Sequence, residues 1–391
     1  MYVKEFLCRM TENMSADSVQ SRQVGFVRCC LKEMRCIMNQ HTRFNLPICL
    51  AVEEDAFFFS DEIIARYIPE IIGKKALVIS EEFLIGIYKE KIEDISHDFG
   101  GAEIYAMKGA SFDEAVSIAK KVCVEDIKVI IGIGGGRVLD TAKYAAHISK
   151  AVYICMPTSL SNDSLASPFS VLETYGNARK TLECKIPTAI IVDTNMITNA
   201  PVDQTLSGIG DTIAKHTALY DWKLSASRSS EVIDDFAYAL SRMSYDSVYH
   251  CDEKNMKSRV FIRILSRALV MGGLAMEIAG SSRPCSGSEH LFAHAIEEYY
   301  PTVKISHGLA VALGTIPACI FQGQSPDGLL RFFKTYGLNI DPGAYGITEE
   351  MFDDMWLKAR TVRTGRITIL DDIKHDSAQL KEIYDMMKES K

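Results

Sequence analysis

The stretch that decides the fold is VIIGIGGGRVLDTAKYAA, residues 129–146. An apolar run leads into four glycines within five residues, and a segment with helical spacing follows. The common dinucleotide fingerprint G-x-G-x-x-G requires a third glycine where this chain has Arg137. The stretch therefore predicts a strand, a tight glycine loop and a helix, but it does not match the usual nucleotide motif.

The glycine loop itself predicts a phosphate site. Gly134, Gly135 and Gly136 allow backbone N–H groups to approach a ligand, and a helix beginning near Val138 adds partial positive charge. Asp140 is expected in the first turn of that helix, where the helix dipole favours an acid. A pyrophosphate suits such a loop, although a tight turn without any ligand also favours glycine.

Short apolar runs rich in β-branched residues surround this stretch. They are ICLAV, KALVIS, EIYAM, KVIIGI, VYICMP and AIIVD, which together span residues 48–193. Helical patterns such as SFDEAVSIAKKVCVED separate several of them, and this alternation predicts a parallel sheet covered by helices. In SFDE, Ser111 is predicted to cap a helix while Glu114 reaches back as in a capping box.

The chain is expected to divide into an N-terminal extension (1–43), an α/β Rossmann-like domain (44–198) and an all-helical domain (199–391), because strand patterns stop after Asp193. Apolar residues recur in the extension with helical spacing at Val24, Val27, Leu31 and Met34. This pattern predicts an amphipathic helix that docks on its own protein or on a partner subunit. Regulation or targeting is the alternative.

Composition narrows the function class. The 391 residues carry 43 Lys and Arg against 51 Asp and Glu, a formal charge of −8, which argues against nucleic-acid binding. No apolar run approaches the roughly 20 residues of a membrane span, and no secretory signal is evident. Eleven scattered cysteines without a CxxC pair indicate reduced thiols and a cytoplasmic location.

Histidines and acids in small, glycine-containing contexts predict a metal site. Asp211 lies in SGIGDTIAKH, His290 and His294 lie in SGSEHLFAH beside Glu289, and His307 lies in ISHGLAVALG. One carboxylate and two imidazoles form a common catalytic ligand set that leaves a position open for substrate. His290 and His294 share a helix face. Histidines with a purely structural role are the alternative.

Six motifs in order resemble those of the sn-glycerol-1-phosphate dehydrogenase family. They are GIGGGRVLDTAKYAA, PTSLSNDSLASPFSVL, SGIGDTIAKHTALYDWKLS, GSSRPCSGSEHLFAH, SHGLAVALG and TVRTGRITIL. The family belongs to a larger group of glycerol dehydrogenases, iron-containing alcohol dehydrogenases and dehydroquinate synthases. The resemblance spans about residues 44–372. It implies a dehydroquinate synthase-like fold and a metal-dependent NAD(P)H oxidoreductase that reversibly reduces dihydroxyacetone phosphate to sn-glycerol 1-phosphate.

The same resemblance implies the wider setting and the metal. Family members are usually cytoplasmic homo-oligomers, and the reaction would serve phospholipid biosynthesis. The metal would be Zn²⁺, or Fe²⁺ or Ni²⁺, bound by Asp211, His290 and His307. Iron-type relatives carry a fourth ligand, a histidine, where this chain has Lys215, and that difference favours the three-ligand version.

Cofactor contacts are expected around the glycine loop and the end of the following strand. The predicted residues are Gly134, Gly135, Gly136, Arg137, Asp140, Thr158 and Ser159. Glu81 ends an early strand, and an acid near the adenosine ribose favours NAD over NADP. The start of a solvated helix is the alternative role for Glu81, and Arg137 could contact the phosphates of either cofactor.

Substrate contacts are expected from Asp163, Asn162, Lys215 and Arg283, while His294 is a candidate proton relay or a packing residue. Ser161 and Lys185 are further donors that a phosphate could use. The chain departs from the family at Asn162-Asp163-Ser164, where H-D-G is usual, and at Leu309-Ala310, where Glu and Gln are usual. These departures keep open another polyol, sugar or cyclitol ketone, a sugar-phosphate cyclase and a non-catalytic homologue.

Overall fold

The computed structural model describes residues 44–99, 102–174 and 179–389. The predicted extension and its amphipathic helix lie outside these ranges. Within them, no helix combines the length and apolar character that a membrane crossing requires. The predicted domain boundary near residue 198 stays a prediction, although the strands of the described chain do end at Asp193.

Six strands of the described chain form one parallel sheet in the order β1-β8-β5-β4-β2-β3. Their bounds are β1 (Cys49–Glu53), β2 (Ala76–Glu81), β3 (Glu103–Met107), β4 (Val129–Gly134), β5 (Val152–Pro157) and β8 (Ala189–Asp193). All six strands predicted from the apolar runs are confirmed. The central strand β4 is buried along its whole length, because helices cover both faces of the sheet and favour continuous apolar runs.

Two further strands form a separate antiparallel hairpin that the sequence analysis did not predict. They are β6 (Phe169–Glu173) and β7 (Arg179–Glu183), with Phe169 opposite Glu183. Strand β7 reads RKTLE and is largely exposed, so it lacks the apolar alternation from which a strand is recognised.

Helices connect the strands and then form nearly all of the remaining chain. In the α/β part they are α1 (Ser60–Tyr67), α2 (Glu82–Ile87), α3 (Lys89–Asp98), α4 (Phe112–Val124), α5 (Gly136–Ser149) and α6 (Thr194–Thr198). Thereafter come α7 (Val202–Ile213), α8 (Lys215–Arg228), α9 (Asp235–Tyr249), α10 (Arg259–Ala279), α11 (Ser288–Tyr299), α12 (His307–Phe321), α13 (Asp327–Tyr336), α14 (Glu349–Ala359) and α15 (Ser377–Glu389). The predicted change from strands to helices is confirmed.

The predicted capping box at α4 is half right. The Ser111 side chain does accept a hydrogen bond from the Glu114 backbone N–H, at 3.2 Å. The Glu114 carboxylate, however, accepts from the N–H groups of Lys108 (2.7 Å) and Gly109 (2.6 Å). It therefore fixes the loop that enters the helix, since those two donors would otherwise lack a partner in this turn.

The order of the strands places a crevice at the carboxyl ends of β2 and β4. From β2 the chain builds β3 on one side, and it then returns to add β4, β5, β8 and β1 on the other side. Ligands of doubly wound sheets bind where the direction of winding reverses in this way. The glycine loop follows β4 and therefore lies at this switch point.

Candidate active site

The glycine loop is the turn between β4 and α5. Its Gly134 carbonyl accepts a hydrogen bond from the Thr158 N–H at 3.0 Å, which ties the loop to the end of β5. A Cβ built on Gly135 would lie 3.4 Å from the Ser159 hydroxyl. The structure thus brings Thr158 and Ser159 beside the glycines, as the predicted cofactor set requires, while their contact with a cofactor stays a prediction.

Asp140 does not occupy the position expected of it. Helix α5 begins at Gly136, so Asp140 is its fifth residue and lies beyond the first turn. Its buried carboxylate receives the Lys143 ammonium (3.1 Å) and the Val171 N–H (3.2 Å), and burial raises its pKa. Because Lys143 also donates to the Phe169 carbonyl at 2.7 Å, this pair fastens α5 to the β6–β7 hairpin.

Glu81 ends β2, the strand beside β4, and thus lies at the same sheet edge as the glycine loop. The Ser80 hydroxyl donates to the Ile133 carbonyl at 2.7 Å and holds the two strand ends together. Helix α2 begins at the next residue, Glu82, so the alternative of a helix start describes the same position. A ribose contact of Glu81 stays a prediction.

The three predicted metal ligands come together at the helical end of the crevice. Asp211 lies near the end of α7, His290 lies in the first turn of α11, and His307 begins α12. One ligand atom from each residue lies within 4.8 Å of the others, and His290 Nε2 is 3.4 Å from Asp211 Oδ1. These donors from three separate helices suit a divalent metal with one open position.

Two glutamates orient the imidazoles. Glu289 Oε1 lies 2.9 Å from His290 Nδ1, and Glu297 Oε1 lies 3.0 Å from His307 Nδ1. Each carboxylate engages Nδ1 and leaves Nε2 for the centre of the cluster, which is the usual outer arrangement of metal-bound histidines. Glu297 was missed by the sequence analysis, although its position three residues after His294 places it on the same helix face.

The charges of these groups favour a bound cation. Burial lowers the pKa of His290, but Asp211 and Glu289 outweigh that effect and raise it to about 9. Burial likewise opposes ionisation of Glu297, yet hydrogen bonds with His294 and His307 hold its pKa well below the usual range. The buried centre therefore carries an excess of carboxylate charge, which a divalent metal would neutralise.

His294 belongs to the same cluster. Its Nδ1 lies 3.3 Å from Glu297 Oε2, and its ring centroid is 5.9 Å from that of His307. Burial lowers the pKa of His294 to about 4. One carboxylate thus joins the candidate relay histidine to a metal ligand, which the sequence alone did not indicate.

Asp163 and Lys215 form a buried pair beside the ligands. Lys215 Nζ lies 3.0 and 3.2 Å from the Asp163 carboxylate oxygens, and the Asp163 N–H donates to Asp211 Oδ2 at 3.1 Å. Burial raises the pKa of Asp163 to about 6 against the opposing charge of Lys215. Lys215 therefore anchors Asp163 next to the metal ligands from the place where iron-type relatives would carry a further histidine.

Asn162 lies between the two halves of the site. Its Oδ1 accepts from the Ser164 N–H at 3.0 Å and would lie 3.6 Å from a Cβ on Gly136. The substitution of asparagine at this position therefore supports a local turn beside the glycine loop. The other departure, Leu309-Ala310, is buried in the apolar core of α12.

Arg283 is the predicted substrate residue whose hydrogen bonds lead elsewhere. Its guanidinium donates to Glu231 (3.0 Å), to the Ile367 carbonyl (2.7 Å) and to the Ser225 hydroxyl (2.9 Å). All three nitrogens are thus engaged within the protein, and these bonds do not support its predicted role as a phosphate donor. That role stays a prediction.

Two glycines explain how ligands from different helices approach each other. Helices α7 and α12 cross at Gly210 and Gly308, each next to a ligand residue. A Cβ on Gly308 would overlap the Ser207 carbonyl oxygen and lie 2.6 Å from its carbon. The Gly308 N–H also donates to the Ser207 hydroxyl at 3.1 Å. Only the absence of side chains here allows Asp211 and His307 to share a metal.

Comparison with known proteins agrees with this fold and site. Residues 54–201 match the family described as iron-containing alcohol dehydrogenase. Glycerol dehydrogenase from Schizosaccharomyces pombe shares the fold, with a TM-score of 0.72 and 24% identity over 90% of this chain and 91% of that one. The parallel sheet and the Asp-His-His cluster thus define a protein of the iron-containing alcohol dehydrogenase class.

Sequence relatives specify the branch. The chain is 37% identical to glycerol-1-phosphate dehydrogenase (NAD(P)+) from Sulfurisphaera tokodaii over 76% of this chain and 84% of that protein. The protein of the same name from Hyperthermus butylicus is 32% identical over 84% of this chain and 94% of its own length. The chain belongs to the glycerol-1-phosphate dehydrogenase family.

Proposed function

We propose that this protein is an NAD(P)-dependent glycerol-1-phosphate dehydrogenase that reversibly reduces dihydroxyacetone phosphate to sn-glycerol 1-phosphate. The observation that carries the proposal is the cluster of Asp211, His290 and His307 at a switch point that also holds the glycine loop. The names of its relatives supply the substrate and the nicotinamide cofactor.

Each half of the crevice has a separate task in this reaction. A divalent metal would supply a Lewis acid for the ketone oxygen, and NAD(P)H would supply the hydride. The backbone of Gly134–Gly136 binds and orients the cofactor pyrophosphate at the start of α5. Glu289 and Glu297 keep both imidazoles turned toward the centre, and Lys215 fixes Asp163 beside the reacting atoms.

His294 is the proposed proton relay. Because its Nδ1 faces the Glu297 carboxylate, the ring proton belongs on Nδ1 and Nε2 is left as an acceptor. In the direction of alcohol oxidation, Nε2 accepts the proton that leaves the substrate hydroxyl, and it returns that proton in the direction of ketone reduction.

The choice of metal and cofactor follows from the ligand types. Two imidazoles and one carboxylate favour Zn²⁺, and they also suit Fe²⁺ or Ni²⁺. Glu81 at the carboxyl end of β2 favours NAD over NADP. A homo-oligomeric state, a cytoplasmic location and a role in phospholipid biosynthesis remain predictions that follow from the family.

The proposal is tested by the zinc-loaded protein with NADH or NADPH and dihydroxyacetone phosphate. We expect oxidation of the cofactor in step with ketone loss, and a product that a glycerol-3-phosphate-specific dehydrogenase does not oxidise. Parallel reactions with dihydroxyacetone and phosphorylated ketoses test the alternative substrates. A product formed without net NADH consumption would indicate a cyclase and contradict the proposal.

The cofactor role of the loop can be separated from its structural role. Gly135→Ala places a Cβ at an ordinary contact distance from Ser159, so we expect normal folding but a KM for NADH raised at least tenfold. Steady-state kinetics and thermal denaturation would measure the two effects. Gly86→Ala, a helical glycine with open space around it, is the control. An unchanged KM in Gly135→Ala would remove the loop from the cofactor site.

A further inference from the structure

The motif TVRTGRITIL borders a cavity that the proposed mechanism does not yet use. The cavity has a volume of about 470 Å³. Its lining residues are Glu231, Ser281, Arg283, Val362, Arg363, Thr364, Gly365 and Arg366. Three arginines and one glutamate thus surround a space large enough for a small anionic group.

The arginines of this cavity differ in how they are partnered. Arg283 pairs with Glu231, the single acid of the lining, and is held by two further hydrogen bonds. Arg363 donates to the Thr181 hydroxyl at 2.9 Å, and Arg366 donates to the Ser282 hydroxyl at 3.0 Å and to the Ser286 carbonyl. Within the described ranges, neither Arg363 nor Arg366 forms an ion pair with a carboxylate.

Arg366 also retains an unused donor. Its Nε is buried and has no hydrogen-bond partner in the described structure. Burial and the neighbouring charges of Arg363 and Arg283 lower the pKa of Arg366 to about 9. A buried donor without a partner and a concentration of like charge are both relieved when an anion binds.

The cavity is coupled to the predicted metal centre through charge and through chain connections. The positive charge of Arg363 contributes to the lowered pKa of His294, and Glu297 acts on Arg363 in turn. Arg366 is bonded to Ser282 and Ser286, in the loop that leads directly into α11 and His290. An anion in the cavity would therefore belong to a molecule that also reaches the metal ligands.

We infer that Arg363 and Arg366 bind the phosphate of the substrate in this cavity, while Arg283 supports them as part of the wall. The inference rests on the proposed function, since it assigns the phosphorylated end of the same ketone. A guanidinium binds phosphate through paired, charge-assisted hydrogen bonds, which a lysine at either position would not reproduce. The neighbouring Thr364 and Gly365 leave the loop without a bulky side chain between the two arginines.

The first test compares a substrate with and without phosphate. Arg363→Met and Arg366→Met are expected to lower the ratio of kcat/KM for dihydroxyacetone phosphate over that for dihydroxyacetone by about 10- to 100-fold. Arg366→Lys should lower it as well, because the paired geometry is lost. Arg331→Met, which removes an exposed arginine of α13, is the matched control and should leave the ratio unchanged.

The second test is independent of turnover. Inorganic phosphate is titrated calorimetrically into the zinc-loaded protein with NADH at saturation, so that the glycine loop is already filled. We expect the unsubstituted protein to bind phosphate and both methionine variants to bind it at least tenfold more weakly. Thermal denaturation identifies any variant that does not fold, and Arg363, with one hydrogen bond to lose, provides the safer variant.

The outcomes separate this inference from the proposed function. Failure of the unsubstituted protein to reduce dihydroxyacetone phosphate contradicts the proposed substrate, whereas weaker phosphate binding in the variants would still support the subsite. Unchanged phosphate binding in both folded variants, or an unsubstituted protein that binds no phosphate, overturns the subsite. An unchanged substrate ratio in both folded variants overturns it as well.

Discussion

Alanine in place of His290 is expected to remove the bound metal and to lower kcat about a thousandfold. His290 supplies Nε2 to the cluster and is the ligand whose imidazole lies 3.4 Å from Asp211. A metal acting as a Lewis acid contributes several kcal/mol to the transition state, and each 1.4 kcal/mol, roughly, corresponds to a tenfold change in rate. Metal content by mass spectrometry and NADH-linked kinetics would measure both losses.

The control for this substitution is His250→Ala. His250 follows α9 and has an exposed side chain, so its loss should change neither metal content nor kcat. Chelation of the unsubstituted protein should mimic His290→Ala, and added zinc should reverse chelation but not the substitution. Full metal content together with normal turnover in His290→Ala would show that the ligand assignment is wrong.

The parts of this site that the sequence predicts are those written in local patterns. Strand β4 is an unbroken apolar run, and the three glycines after it allow only a tight turn before α5. Both features depend on residues that are neighbours along the chain, so the pattern of apolar residues and glycines is sufficient. The three metal ligands required a family resemblance, because 17 residues or more separate His307 from His290 and from Asp211.

Partnerships between helices were beyond the sequence. Lys215 is four residues from Asp211 on adjoining helical segments, but its ammonium reaches Asp163, whose distance along the chain gives no signal. Asp140 has the appearance of a helix-start acid, and only the position of the β6–β7 hairpin shows that it is buried and bonded to Val171. Burial decides the partners of such charged groups, because an unpaired charge in the core is costly.

Gly308→Ala is expected to lower the free energy of unfolding by about 3 kcal/mol or more. The added Cβ would overlap the backbone carbonyl of Ser207, and a backbone atom inside a helix cannot turn aside as a flexible side chain would. Helices α7 and α12 would have to separate, which moves Asp211 away from His307. Urea denaturation would measure the stability, and zinc titration of the folded fraction would measure the loss of metal affinity.

The matched substitution is Gly86→Ala in α2, where a Cβ has nothing within 4 Å. Alanine is favoured over glycine inside a helix by roughly 0.5–1 kcal/mol, so this variant should be as stable as the unsubstituted protein or slightly more stable. The contrast between the two alanines isolates the helix crossing from the general effect of removing a glycine. Equal stability of both variants would mean that the α7–α12 crossing does not set the distance between the metal ligands.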